Sequence, residues 1–243
     1  MGLIVKFCVG ILASMLVWLP AQADEALSQK SMTQNADVNL GALSTALKPQ
    51  GAVRGEFEQT RTLKALKRPL VSRGSFVFSP DQGLMWAQNQ PFENLLILSE
   101  TRMLSRDSEG LWQQTEVNAK AGPATLMPML VKAMMGGDMA TLERHFSLAL
   151  SSQENHWQLT LAPKDEDIKA LFAAIELEGS FIGDAGTTQQ TGTQTRTDKA
   201  STNRLKLISP NGDVSDIRFS NQQSGPLSEQ ELQAFIPQIE SGQ

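Results

Sequence analysis

GSFVFSPDQGLMW, residues 74–86, is two short apolar runs around a Pro-Asp-Gln-Gly turn. Phe76 and Phe78 lie two apart, as do Leu84 and Trp86, so each pair falls on one side of a strand. Pro80 and Gly83 occupy positions where a tight turn favours them. The stretch therefore reads as an antiparallel hairpin with aromatic and aliphatic bulk on one face. Its serines and Asp81 have no histidine, cysteine or lysine beside them in the stretch, so it holds no activated nucleophile. Bulk without reactivity implies that this face lines a space for something apolar.

The same two-residue period extends outward. From Gly51, the residues Val53, Gly55, Phe57, Gln59 and Arg61 share one side of a strand. Leu95-Leu96-Ile97-Leu98 is apolar at every position, which predicts a strand covered on both faces. Residues 102–106 and 111–117 predict a hairpin closed at Asp107-Ser108-Glu109-Gly110. Further strands are expected at 146–150, 157–161, 175–178, 204–208 and 214–219, the last two joined through Asn211-Gly212, a strong hairpin signal. Helices interrupt this pattern. Leu40, Leu43 and Leu47 recur at helical spacing behind Asn39, a good N-cap. Leu126, Met127, Leu130, Val131 and Met134 form an apolar stripe that Gly136-Gly137 ends, with Lys132 expected to face water, and Asp138 suits the N-cap of a short helix through Arg144. A helical turn is expected within 167–173. Ser228 and Glu231 have the spacing of a capping box before a last helix over 232–236. The sum is an antiparallel sheet curled into a barrel or half-barrel, with helices over one face or mouth.

At the N-terminus, Lys6 precedes an apolar run over residues 7–19, too short to anchor in a bilayer, and Ala21-Gln22-Ala23 is a cleavage motif. Residues 1–23 are expected to be a signal peptide, 24–39 a flexible lead-in and 40–243 one domain. Residues 187–202 are expected to be a low-complexity loop within that domain. The only cysteine, Cys8, leaves with the signal peptide, so no disulfide is expected to support the fold. The net charge is −5, or −6 without Lys6. An acidic average argues against nucleic acid or an anionic membrane face as partner. No later stretch is long and apolar enough to span a bilayer, so a soluble mature chain is expected.

Candidate chemistry is sparse. The chain has no tyrosine, and its two histidines, His145 and His156, are isolated from any nucleophile motif, so no catalytic residue is expected. Asp165-Glu166-Asp167 is an acidic cluster at a helix start, read as a solvated turn rather than a metal site. No cofactor is expected. Arg102 and Arg106 are read as an outward charged edge. Met127, Met129, Met134, Met135 and Met139 are five of the ten methionines within thirteen residues. Flexible, polarisable side chains suit a surface that accepts varied apolar partners.

Phe57-Glu58-Gln59, Gly74-Ser75-Phe76-Val77-Phe78-Ser79-Pro80, Leu84-Met85-Trp86, Pro91, Gly110-Leu111-Trp112, Leu159-Thr160-Leu161-Ala162-Pro163-Lys164 and Asn211-Gly212 occur in that order. In this order, after a signal peptide, the chain resembles the LolA-like periplasmic lipoprotein carriers, as a divergent branch. The resemblance implies a mainly β fold: a curved antiparallel sheet forming an incomplete β-barrel with lid helices. It implies a carrier that binds acyl chains of lipoproteins, or related lipid cargo, between Phe57, Phe76, Phe78, Leu84, Trp86, Leu96 and Leu98 of the sheet and Leu126, Met127, Leu130 and Met134 of the lid. It further implies a monomer that takes cargo from an inner-membrane ABC transporter and passes it to an outer-membrane acceptor. Carriage of a lipid other than a lipoprotein, or lipid sensing on the same fold, are the alternatives. One departure stands out: the family pattern has an arginine before the proline equivalent to Pro80, tying barrel to lid, where this chain has Ser79.

The signal-peptide reading has a direct check. Intact-mass measurement of the exported protein is expected to place the first residue at Asp24; a membrane-retained chain acylated on Cys8 would overturn it.

Overall fold

The structure, a computed structural model, describes residues 39–116, 126–182 and 199–236. The expected signal peptide, most of the lead-in and loop residues 187–198 lie outside the described residues.

Helix α1 (Leu40–Leu47) begins where Asn39 accepts a hydrogen bond from the Ala42 N–H at 2.8 Å, and it buries Leu43 and Leu47. Six strands follow: β1 (Ala52–Thr62), β2 (Leu70–Ser79), β3 (Gly83–Gln90), β4 (Asn94–Leu98), β5 (Arg102–Arg106) and β6 (Trp112–Glu116). Helices α2 (Leu126–Gly136) and α3 (Met139–His145) come next, then β7 (Phe146–Gln153), β8 (His156–Pro163), the single turn α4 (Glu166–Lys169) and β9 (Ala174–Ile182). Strands β10 (Lys199–Ile208) and β11 (Val214–Gly225) and helix α5 (Glu229–Phe235) complete the fold.

The strands form one sheet in the order β6-β5-β4-β3-β2-β1-β11-β10-β9-β8-β7, every neighbour antiparallel. Strands β6 and β7 are its two edges, so the sheet is not closed into a barrel. Its curvature follows from α2. One apolar cluster joins Val131 and Met135 of α2 to Leu98 of β4; another joins Leu130, Ala133 and Met134 to Ile175 and Leu177 of β9. Strands β4 and β9 are six places apart, about 29 Å in a flat sheet, and a helix is about 10–12 Å across. The sheet therefore curls around α2.

Three cross-strand pairs place an aromatic ring over a glycine: Phe76 over Gly55, Phe57 over Gly74, and Trp157 over Gly179. A β-carbon at Gly74 would lie 2.8 Å from the Phe57 ring, and one at Gly179 2.4 Å from the Trp157 indole. Rings that lie flat over glycine fill the concave side without wedging the strands apart.

The outer face is covered in two ways. On β1–β5, Val77, Ile97 and Leu104 are buried with Phe235 of α5 and with Leu227. Leu95-Leu96-Ile97-Leu98 is thus covered on both faces as expected, with α5 outside and α2 inside. On β9–β11 the outer face is an ion-pair ladder. Arg204 grips Asp216 with two bonds of 2.9 and 2.6 Å and reaches Glu178 at 3.2 Å, while Lys206 meets Glu176 at 3.1 Å.

Several boundaries correct the sequence reading. Residues 199–202, expected as the end of the low-complexity loop, belong to β10 and pair with β9. Strand β9 runs to Ile182 and β11 to Gly225, beyond their expected ends. Outward-facing polar residues hid this extension, because only the inner positions need be apolar.

Helix α5 is held by a charge-assisted tie. The Glu231 carboxylate accepts from Arg54 Nε at 2.8 Å and from the Ser228 N–H at 2.7 Å, completing the expected capping box. Bonding to Arg54 lowers the Glu231 pKa from 4.5 to about 2. A depressed carboxylate pKa contributes stability that is full above about pH 4.5 and is lost as pH falls through about 2. Glu231→Gln is expected to cost about 1–2 kcal/mol at neutral pH. Its deficit relative to the parent should shrink between pH 4.5 and 2 in denaturant melts; a deficit that does not change with pH would refute this linkage.

Candidate functional site

The inner face of β1–β4 gathers all seven sheet residues expected at the site. Phe57, Phe76, Phe78, Leu84 and Leu98 are buried, with Trp86 and Leu96 half-buried among them. Strand alternation and register put them together: Phe76 lies opposite Trp86, Phe78 opposite Leu84, and Leu84 opposite Leu98. Phe57 stacks on Trp86 with ring centres 3.6 Å apart, over Gly74. Phe219 of β11 meets Phe76 edge-on at 5.2 Å and Trp86 at 6.3 Å. Val53, Met103 and Phe219 extend the same cluster. Sequence reasoning missed Met103 and Phe219 as site residues, although their strand positions already carried the two-residue period.

The lid is turned relative to expectation. Leu130 and Met134 pack not over this face but into the neighbouring core with Leu43, Leu142, Phe146 and Trp157. Val131 and Met135 are the lid residues against the Phe76 cluster. The side chains of Leu126 and Met127 lie outside the described residues. The signal that could have revealed this is that α2 is apolar all round except at Lys132. Such a helix is covered on two sides, not one.

Between lid and sheet lies a cavity of about 270 Å³ lined chiefly by Phe78, Leu84, Leu98, Met129 and Val131. Pro80, Asp81, Gly83, Glu100 and Lys132 also line it. Lys132 of α2 forms an ion pair with Glu100 in the β4–β5 turn. The hydrogen bond from Lys132 holds the Glu100 carboxyl below its usual pKa. Lys132 is thus partly exposed, as expected, and it also bridges lid and sheet. Ser79 is buried, and its Oγ accepts from the Asp81 and Gln82 N–H groups at 3.3 Å each. It caps the hairpin turn and makes no hydrogen bond to the lid among the described residues. Among the described residues, an ion pair between lid and sheet is made instead by Lys132 and Glu100.

His145 and Arg106, two of the polar groups singled out in the sequence, have structural partners. His145 Nδ1 lies 2.7 Å from the Asp165 carboxylate, joining the end of α3 to the start of α4. Arg106 stands over the Trp112 ring. Among the described residues, no group of three or more His, Cys, Asp or Glu side chains could hold a metal ion. A polar depression of about 640 Å³ spans Ser151, Gln153, His156, Gln158, Asn203 and Arg204, but the Arg204 charge there is already committed to Glu178 and Asp216. No helix of the described residues is long and apolar enough to cross a membrane.

Several solved structures are similar to the chain. A LolA superfamily protein from Nitrosomonas europaea is 8% identical over 79% of this chain and 94% of that one, with a TM-score of 0.42. A DUF1329 family protein from Desulfovibrio piger is 11% identical over 82% and 95%, with a TM-score of 0.45. The MucA/MucB complex of Pseudomonas aeruginosa contains a chain 15% identical over 80% of this chain and 59% of its own, with a TM-score of 0.42. Likenesses of this strength carry no functional argument. No curated protein matches the chain. The family model described as outer membrane lipoprotein carrier protein LolA-like matches residues 32–185. That span is more than half of the chain, and the chain belongs to the LolA-like family.

Proposed function

We propose that this protein is a periplasmic carrier that binds the acyl chains of lipoproteins, or a related lipid cargo, between α2 and the inner face of β1–β4. The observation that carries this reading is the asymmetry of the lid. Leu130 and Ala133, 1% and 2% exposed, fix α2 to the β7–β10 side, whereas Val131 and Met135 cover the Phe76 cluster while themselves only half-buried. A cavity already separates lid from sheet there. A volume of about 270 Å³ is at the small end of ligand pockets, so a long chain needs α2 to move outward. Burying a fourteen-carbon chain is worth roughly 10 kcal/mol at about 0.8 kcal/mol per methylene. Displacing two half-buried side chains costs less than that, because full burial of one such side chain is worth about 1.5–3 kcal/mol. The cargo would pass from an inner-membrane transporter to an outer-membrane acceptor, with the protein acting as a monomeric binding protein and not as an enzyme.

A fluorescent fatty-acyl probe tests this reading. The parent is expected to bind it saturably. Val131→Trp should fill the cavity and weaken binding by at least about tenfold, equivalent to about 1.4 kcal/mol. Lys132→Glu would set two carboxylates against each other at the rim and should speed probe entry and release. Leu130→Glu is uninformative here, since it would place a carboxylate in the α1–α3 core and lower stability instead. Absence of saturable binding, or an unchanged affinity for a normally folded Val131→Trp, would reject the site.

A further inference from the structure

Between Glu58 and Asp81 the chain has five cations, Arg61, Lys64, Lys67, Arg68 and Arg73, and no acid. The fold gathers them around one hairpin tip. Strand β1 ends at Thr62 and β2 starts at Leu70, and the connecting turn is closed by a hydrogen bond of 2.9 Å from the Leu66 N–H to the Leu63 carbonyl. Residues 64–71 are all exposed, so the tip protrudes. The β3–β4 and β5–β6 connections lie at the same end, since Arg73 pairs with Gln90, Gln88 with Asn94, and Arg106 with Trp112. The lid cavity, lined by the β2–β3 and β4–β5 turns, lies at the opposite end.

This end concentrates exposed apolar side chains. Leu66, Leu70, Val71, Phe92 and Leu111 are 41–70% exposed, five of the eight large apolar residues exposed among the described residues. Its cations are largely unspent. Arg73 pairs with Glu58, while Arg61, Lys64, Lys67 and Arg68 make no salt bridge among the described residues. Asp213 lies close by, accepting from the Lys64 N–H at 2.8 Å, and Glu93, Asp107 and Glu109 are the acids of the neighbouring tips. The Asp107 carboxylate is turned to its own loop, bonding the Glu109 and Leu111 N–H groups.

We propose that the β1–β2 tip, flanked by Phe92 and Leu111, docks on an anionic phospholipid bilayer. Aliphatic and aromatic side chains can enter the boundary between headgroups and acyl chains while neighbouring Lys and Arg remain at the phosphates. A projecting tip with interleaved cations matches that layered surface by charge and by depth. The net charge of −5 averages over this segregation. The acidic remainder of the molecule is repelled by the same surface, so the protein docks end-on with its lid cavity pointing away. The inference does not depend on what the cavity holds.

Flotation of the exported protein with phosphatidylcholine vesicles, with and without phosphatidylglycerol, tests the proposal. Parent and variants carry the same N-terminus, so any contribution from it is common to all. Binding is expected only to the phosphatidylglycerol vesicles and should weaken as salt is added. The double variant Lys67→Glu/Arg68→Glu should bind at least about tenfold more weakly at low salt, with an unchanged melting temperature. In Leu66→Trp the new indole should shift to the blue with anionic vesicles and be quenched by a shallow doxyl lipid. The proposal is overturned by a parent that does not float with anionic vesicles, by a double variant that floats equally well, or by an indole emission in the Leu66→Trp variant that does not move on binding.

Discussion

Ten residue pairs between β1 and β11 hold the two halves of this sheet together. Every other pairing joins strands adjacent in sequence, so β1–β6 and β7–β11 are each a meander. The β1–β11 seam joins residues more than 150 apart, Ala52 to Gly225 at one end and Thr62 to Val214 at the other. It must form against the entropy of closing that whole loop, which grows only slowly with length. Without it, the two meanders would present separate apolar faces and α2 would lie between halves that do not meet. The seam also carries a register shift, where Gly55 faces Asn221 and Gln222, and Asn221 adopts φ 52° with its amide on the Glu56 carboxylate at 2.7 Å. Such a bulge bends and twists the strand at the place where the sheet must curl.

The seam makes one interior out of two packing environments. On the C-terminal side, α1, α2, α3 and β7–β9 form a conventional core, with Leu43, Leu142, Phe146, Leu159, Leu161 and Ile175 all at 0% exposure. Gly137, at φ 68°, lets α2 end against α1, where Ser44 Oγ bonds the Gly137 carbonyl at 2.7 Å. On the N-terminal side the rings pack mainly on one another, and α2 touches them with its half-buried edge. Burial differs across this one helix, complete at Leu130 and Ala133 and partial at Val131 and Met135, so its two edges are held unequally.

Features governed by neighbouring residues were legible in the sequence. Asn39 at the start of α1, Asp138 at the start of α3, the Ser228/Glu231 capping box and the hairpin turns at Pro80 and Asn211 are all local chemistry, and the structure has each of them. The gathering of Phe57, Phe76, Phe78, Leu84, Trp86, Leu96 and Leu98 on one inner face was legible for the same reason, since period-two spacing fixes a face. Features governed by distant partners were not. The rotation of α2 depends on which half of the sheet its Leu130 meets; the all-round apolarity of residues 126–136 signals cover on two sides but does not assign either side to a half of the sheet. The full length of β10 was hidden because Ser201, Thr202 and Asn203 look like loop residues until β9 lies beside them. The opposite bias affected the charge reading, where a whole-chain sum concealed a basic tip on an acidic molecule.

The three ring-over-glycine pairs have a consequence for descent. Phe76 with Gly55, Phe57 with Gly74, and Trp157 with Gly179 are each two positions on neighbouring strands that the register brings face to face. A side chain at Gly74 or Gly179 would collide with the ring opposite and, more closely, with a backbone carbonyl oxygen of the neighbouring strand, that of Ala87 or Ser201, each 1.9 Å from the added carbon; a ring reduced to a small residue leaves the glycine backbone uncovered on the concave side. Loss of a ring does not free its glycine to change, because the carbonyl oxygen still crowds that position, whereas a change at the glycine displaces ring and backbone together. Within the family, these glycines should therefore be retained even in lineages that have exchanged the ring opposite, so that the curvature of the sheet is inherited chiefly through its glycines.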